Sequence, residues 1–245
     1  MTYRDLLKLE LFPTTWCPGC GIGHIMIQLA MAMEELGLNY TNSTVIGGIG
    51  CTGRLSSYMK VDGIYTLHGR TLPVAEAVKL VNPDLKVIVV SGDGDLASIG
   101  GNHLLHVARR NADITVILNN NEVYGLTGGQ AGPTTPQGVA TISSPAGVSY
   151  APLNLQTLMK ACGKYSYAKT TVYHQVHLRQ CIKEAITWPG FAFVDVTSQC
   201  IENYGRRLGY NKAYDMMLQY RATYKRAPQG AETLGPGEIG IVRKG

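Results

Sequence analysis

Two periodicities alternate along the chain. Residues 23–37 (GHIMIQLAMAMEELG) place apolar side chains at helical spacing and stop at Gly37, a residue suited to the left-handed turn that closes a helix. Thr44–Ile49 is β-branched and predicts a strand. Residues 73–81 predict a short helix, with Pro73 in its first turn and Pro83 just past its end. Lys86–Ser91 (KVIVVS) and Ile114–Leu118 (ITVIL) are nearly unbroken apolar runs, the pattern of strands buried on both faces. Leu96–Arg110 between them reads as a helix. Further helices are expected near 154–161 and 174–187, and a last strand at Phe191–Thr197 (FAFVDVT). Strands alternating with helices predict a doubly wound α/β fold, a mostly parallel sheet with helices on both faces.

Two stretches depart from this rhythm. Residues 125–152 are rich in Gly, Pro, Thr and Ser and are too long for an ordinary connection, which points to function. After residue 202, Tyr204, Tyr210, Tyr214, Tyr220 and Tyr224 stand among Arg and Lys with few small aliphatics. The chain therefore divides into a main domain, 1–201, and a tail, 202–245. The tail reads either as a helix packed on its own domain or as a segment that docks on a partner, because Tyr and Arg are enriched at interfaces.

Composition narrows the class. With 245 residues, 45% of them hydrophobic, the chain can bury one large α/β core. Its charged fraction of 16% is low against an average of about 25%, which suggests surface pressed against partners. A net charge of +5 with no basic cluster before the C-terminal region excludes a nucleic-acid footprint. No apolar run approaches the ~18 residues of a membrane span, and no signal peptide is evident, so a cytoplasmic location is expected. Six cysteines in that setting point to thiol, metal or redox chemistry rather than a disulfide framework.

The richest motif is SGDGDL at 91–96, followed by ILNNNEVYGLTGGQ at 117–130. Gly92, Asp93, Gly94 and Asp95 stand where a buried parallel strand ends, the place where open α/β sheets bind ligands. Glycines let backbone N–H groups approach a phosphate. A carboxylate beside a phosphate needs a divalent cation between them, and Mg²⁺ suits oxygen ligands shared with a phosphate. Asn119–Asn121 end the next strand and supply an amide oxygen, and the turn beyond adds a carbonyl. The plain structural reading is that Asp93 and Asp95 cap a helix and the asparagines form a turn. It accounts for GDG alone but poorly for the whole series.

The cysteines leave more open. Cys17 and Cys20 form CPGC, Cys51 lies in GGIGCTG and Cys200 follows the last strand. Such a set can hold an iron–sulfur cluster or a structural zinc; a thioredoxin-like dithiol is a weaker reading, since no βαβ strand precedes the motif. Cys162 and Cys181 lie in helical patterns and read as core thiols. Residues 48–53 are a literal GxGxxG, but the following SSYMKVDG is a poor helix, which speaks against a dinucleotide site.

The GDGD and NNN motifs together resemble those of thiamine-diphosphate enzymes. NEVYGLTGGQAGPTTPQG narrows the resemblance to β subunits of 2-oxoacid:ferredoxin oxidoreductases, over about residues 14 to 205. The resemblance implies that Asp93 and Asn121 ligate Mg²⁺ by side chain and Val123 by its carbonyl. Ile49, Gly50, Thr52, His68, Gly92, Gly94, Asp95, Gly125 and Leu126 would then contact thiamine diphosphate. It implies a 4Fe–4S cluster on Cys17, Cys20, Cys51 and Cys200. Arg54 corresponds to a cationic residue that recognises the 2-oxoacid; its plain reading is a surface arginine, and that of His68 a core histidine. The pyrimidine end of the cofactor is expected on a separate α subunit, with γ and δ subunits as further partners. The implied reaction takes a 2-oxoacid, coenzyme A and oxidised ferredoxin to acyl-coenzyme A, CO₂ and reduced ferredoxin. WCPGCG and the SQC at Cys200 lean towards 2-oxoglutarate over pyruvate or branched-chain substrates. Gly128 departs from relatives that carry a coenzyme A-binding lysine there. A non-oxidative thiamine-dependent decarboxylase or synthase subunit, and a non-catalytic subunit, are the alternatives.

Overall fold

The computed structural model describes residues 2–245. Ten strands appear in chain order: β1 (Ser43–Gly47), β2 (Asp62–Tyr65), β3 (Lys86–Gly92), β4 (Thr115–Asn120), β5 (Val123–Tyr124), β6 (Gln130–Ala131), β7 (Tyr165–Thr171), β8 (Ala192–Thr197), β9 (Lys225–Arg226) and β10 (Glu238–Lys244). Seven α-helices accompany them: α1 (Ile22–Glu35), α2 (Leu55–Tyr58), α3 (Thr71–Val81), α4 (Gly101–Arg109), α5 (Leu155–Lys160), α6 (Gln175–Thr187) and α7 (Ala213–Thr223). The main sheet runs β2-β1-β3-β4-β8-β7-β10-β9 and is parallel from β2 to β7. β10 joins it antiparallel to β7.

Alternation along the strands builds two cores. In β3, Ile88 and Val90 face a layer formed with Ile25 and Leu29 of α1 and Leu178 and Ile182 of α6. Val87 and Val89 face the opposite layer, with Leu72 of α3, Leu104 and Val107 of α4 and Met159 of α5. Strands buried on both faces need side chains that are apolar at every position, which is why KVIVV reads as an unbroken run. α1 ends as its sequence suggests: Gly37 has φ +67 and the Leu38 N–H returns to the Met33 carbonyl.

Three departures from the sequence reading have physical causes. The helix expected over Leu96–Arg110 is interrupted: Gly94–Ile99 is a π-helical turn, and α4 starts only at Gly101. The Gly100 N–H reaches back to the Asp95 carbonyl at 2.8 Å, the wider loop that often marks functional positions in helices. β2 and β7 carry too many polar residues to stand out as apolar runs; β2 is an exposed edge. Division after residue 201 is not a boundary of the sheet, because β10 in the tail pairs with β7 from Lys169 to Tyr165. Among the described residues no helix is long and apolar enough to cross a membrane.

Candidate thiamine diphosphate and iron–sulfur site

Chain order fixes the crevice. From β1 the chain moves outward to β2, and from β3 it moves the other way to β4. Their connections therefore diverge and leave a gap at the carboxyl ends of β1 and β3. A cavity of about 260 Å³ opens there. Ile49, Gly50, Thr52, His68, Gly92, Gly94, Asp95, Gly125 and Leu126 all border it, together with Asn121 and Val123. So do Cys17, Cys20, Cys51 and Cys200. Asp93 lies just behind this wall and is buried. Arg54 is exposed at the start of α2 and is not among the lining residues.

Asp95 organises the crevice rather than merely lining it. Its buried carboxylate accepts hydrogen bonds from the Gly69 N–H (2.8 Å), Ser91 Oγ (2.8 Å), Thr71 Oγ1 (3.2 Å) and the Ile49 N–H (3.3 Å). One side chain thus ties together the ends of β1 and β3 and the start of α3. Satisfaction by several donors is what allows a carboxylate to be buried. His68 Nδ1 lies 2.7 Å from Asp95 Oδ1, but its N–H is not aligned for a hydrogen bond. The glycines before it serve this packing: a Cβ on Gly48 would overlap the Asp95 carboxylate, and one on Gly53 the Gly48 carbonyl.

Three oxygens converge beside Asp93. Asn121 Oδ1 stands 2.7 Å from the Val123 carbonyl oxygen and 3.1 Å from Asp93 Oδ1, and its donor is a long contact from the Val123 N–H at 3.4 Å. Turning the amide would make two hydrogen bonds of these contacts. A cation between the oxygens would satisfy the arrangement as it stands. An octahedral ion with ligands at about 2.0–2.1 Å brings neighbouring ligand oxygens to about 2.9 Å apart, so the spacing fits Mg²⁺. Burial pushes the Asp93 carboxyl up to about 7, opposed by a hydrogen bond from Thr134. A carboxylate so poorly solvated is one that a divalent ion would hold ionised.

Thr134 is a residue the sequence reading missed. Its Oγ1 donates to Asp93 Oδ2 at 2.6 Å, leaving Oδ1 to face Asn121. Its signal was only indirect, the unusual length of the 125–152 loop. Thr134→Val keeps the shape and removes the donor. We expect Mg²⁺-dependent affinity for thiamine diphosphate to fall by about 10–100-fold, the usual cost of losing an outer-shell partner of a metal ligand. Calorimetric titration of the assembled complex checks this, and an unchanged affinity refutes the orienting role.

The four cysteines approach the cavity from three segments. The Cys20 N–H bonds back to the Cys17 carbonyl at 3.0 Å, closing a tight turn. Trp16 Nε1 donates to the Cys51 carbonyl at 2.8 Å, fixing that loop. Burial pushes the Cys20 thiol up to about 12, and the neighbouring thiols add to it. Burial likewise raises Cys51, where Arg54 opposes the shift, and Cys200. Thiolate ligation here would therefore release protons on metal binding. Among the described residues no three His, Cys, Asp or Glu side chains are close enough to share one metal ion. Four thiolates from these segments would be the ligands of an iron–sulfur cluster, which would accept electrons singly. Cys162 and Cys181 are buried in opposite cores, away from this cavity.

The oxygen site and the cysteine site share a wall. Tyr204, four residues after Cys200, donates its hydroxyl to Glu122 Oε2 at 2.7 Å. Asn203 Nδ2 donates to the Gly125 carbonyl at 2.7 Å. Glu122 adopts φ +66 between the two proposed ligands Asn121 and Val123, a conformation uncommon outside glycine. Thr135 Oγ1 donates to the Glu122 carbonyl and holds that turn.

Comparison with known proteins shows the family. The thiamine pyrophosphate enzyme C-terminal TPP-binding domain family matches residues 48–196. The 2-oxoglutarate synthase subunit KorB of Methanothermobacter marburgensis is 40% identical over 215 residues, 88% of this chain and 75% of that protein. A 2-oxoacid:ferredoxin oxidoreductase β subunit of Aeropyrum pernix is 43% identical over 205 residues, 84% of this chain and 66% of that protein. A solved 2-oxoglutarate:ferredoxin oxidoreductase from Magnetococcus marinus, with 2-oxoglutarate, coenzyme A and succinyl-CoA bound, superposes with a TM-score of 0.90 at 34% identity, covering 100% of this chain and 85% of that one. The chain carries a thiamine diphosphate-binding domain and belongs to the β-subunit family of the 2-oxoacid:ferredoxin oxidoreductases.

Proposed function

We propose that this chain supplies the diphosphate half of the active site in a coenzyme A-dependent 2-oxoglutarate:ferredoxin oxidoreductase. The net reaction takes 2-oxoglutarate, coenzyme A and two oxidised ferredoxins to succinyl-coenzyme A, CO₂, two reduced ferredoxins and a proton. The observation that carries the reading is one cavity bordered both by the oxygens of Asn121 and Val123, with Asp93 behind them, and by four cysteines. Asp93, Asn121 and the Val123 carbonyl would hold Mg²⁺ against the cofactor diphosphate. Cys17, Cys20, Cys51 and Cys200 would hold a 4Fe–4S cluster. Thiamine diphosphate supplies the nucleophilic carbon, and the cluster accepts electrons singly. The protein's own part is to orient the diphosphate through Ile49, Gly50, Thr52, His68, Gly92, Gly94, Asp95, Gly125 and Leu126.

The names of the relatives and of the structural neighbour support 2-oxoglutarate over pyruvate. A cysteine quartet beside the cofactor favours the oxidative over the non-oxidative thiamine chemistry. An α subunit would complete the site with the pyrimidine-binding domain, and γ and δ subunits are further candidates; coenzyme A contacts would come from residues other than Gly128 or from that partner. The reaction suits the cytoplasm.

Arg54 tests substrate choice. Exposed in this chain, it can reach a carboxylate only where a partner or substrate covers it. Charge-assisted bonds contribute on the order of 1.5–3 kcal/mol, so Arg54→Ala should lower kcat/KM for 2-oxoglutarate by about ten- to a hundred-fold. If it reads the distal carboxylate, pyruvate turnover is spared; if it reads the shared one, both fall. The measurement is kcat/KM for both substrates in the co-expressed complex. Equal values in variant and wild type return Arg54 to a surface role.

A further inference from the structure

The chain's net charge is not spread over its surface. Six of its 22 Lys and Arg, but one of its 17 Asp and Glu, fall within residues 203–226. This segment carries the whole formal charge of +5, and the remaining residues balance at 16 of each sign. Arg206, Arg207 and Lys212 at its start are exposed. Among the described residues only Arg206 of these three has an acidic partner, Glu202, at 2.9 Å.

The fold brings the start of this segment to the cysteines, while Arg226 at its far end lies beside His177 of α6. A Cβ on Gly19, between Cys17 and Cys20, would lie 2.5 Å from Ala213 Cβ, so the CPGC turn and the start of α7 are in direct contact. Gln199 Nε2 donates to the Gly19 carbonyl at 2.9 Å, bringing the approach to Cys200 to the same turn. Ile201, Tyr204 and Met216 pack with partly buried Cys200 and Ala213 into one small core. Cys17 is exposed, so the cysteine site reaches the surface beside this basic segment.

We infer that the surface formed by Arg206, Arg207 and Lys212 around the Cys17–Cys20 turn is the docking site for an acidic one-electron carrier protein. The inference rests on the proposed electron route through those cysteines. Net positive charge next to a surface-reaching redox site attracts a negatively charged carrier and raises its encounter rate, with a strong dependence on ionic strength. A small cationic acceptor gains nothing from it. The surface thus separates the two kinds of acceptor by charge.

The test uses the assembled complex with 2-oxoglutarate and coenzyme A, reducing either an acidic ferredoxin or methyl viologen. The variants are Arg207→Glu/Lys212→Glu and the neutral Arg207→Gln/Lys212→Gln. We expect the charge-reversed complex to show KM for ferredoxin raised about ten-fold or more at low salt, with the neutral variant between. The differences should shrink as salt rises, and viologen reduction should stay at the wild-type rate. Unchanged ferredoxin KM at low salt overturns the docking surface alone. Loss of α-subunit co-purification in the variants also overturns it and makes this face a subunit interface. A wild-type complex that reduces neither acceptor overturns the proposed function itself, and the docking surface with it.

Discussion

Asp93→Ala should abolish magnesium-dependent retention of thiamine diphosphate by the assembled complex. Asp93 contributes the one formal negative charge to the oxygen trio, and its other oxygen is already engaged by Thr134 at 2.6 Å. Asn121 and the Val123 carbonyl are neutral donors and cannot hold a strongly hydrated divalent ion by themselves. Losing an outer-shell partner of a metal ligand costs about 10–100-fold in affinity, so losing the charged ligand should cost more than about 100-fold. Asp93→Asn is the sharper variant, because it keeps shape and hydrogen bonding while removing charge. Because burial already raises the Asp93 carboxyl to about 7, removing its charge should not harm folding. The expected pair of results is an unchanged melting temperature without cofactor and no cofactor-induced rise in it. Wild-type cofactor affinity in Asp93→Asn would remove the residue from the ligand set.

Much of this arrangement is legible from residues alone, for reasons that differ by element. KVIVVS and ITVIL are buried on both faces, so burial is written at every position and the strands are plain. The carboxyl ends of those strands are then fixed by order, and so is the site. β7 (YSYAKTT) is also buried on both faces, yet its threonines and serine conceal it; Thr170 Oγ1 contacts His177 Nδ1 at 3.0 Å instead of contributing apolar area. β10 is invisible because its place depends on an antiparallel return to β7 from a segment of mixed character. Within the site, glycines and acids at strand ends are readable by type. Thr134, Tyr204 and Asn203 are not, since their partners lie 41, 82 and 78 residues away in sequence. Asp95 was legible as a candidate site residue but not as the group that ties three segments together. That role depends on donors from Ile49, Gly69, Thr71 and Ser91, which only the folded chain brings to one point.

Cys51→Ser should separate the two halves of the reaction. Cys51 lies on the loop that also carries Gly50 and Thr52, so of the four cysteines it is bracketed in sequence by the proposed cofactor contacts that line the cavity. Its carbonyl is held by Trp16 and Thr52 Oγ1 is held by Asn119 Nδ2 at 2.8 Å, so the loop keeps its path when sulfur becomes oxygen. Serine is a weak cluster ligand because its hydroxyl does not ionise near neutral pH. In the proposed reaction, loss of CO₂ would come before electron transfer and would not draw on the cysteines. We therefore expect release of labelled CO₂ in a single turnover to stay within about threefold of wild type, well under the factor of ten that 1.4 kcal/mol represents. Ferredoxin reduction should fall by about 100-fold or more, with loss or alteration of the iron–sulfur electron paramagnetic resonance signal. Cys200→Ser, on a different segment of the same cavity wall, should give the same split. Cys162→Ser and Cys181→Ser serve as controls, being buried in the two cores where a hydroxyl affects stability alone. If Cys51→Ser reduces ferredoxin at the wild-type rate, Cys51 is not a ligand. If CO₂ release collapses together with ferredoxin reduction while cofactor binding is intact, the cysteine acts on the cofactor directly and the division of labour between the two sites is wrong.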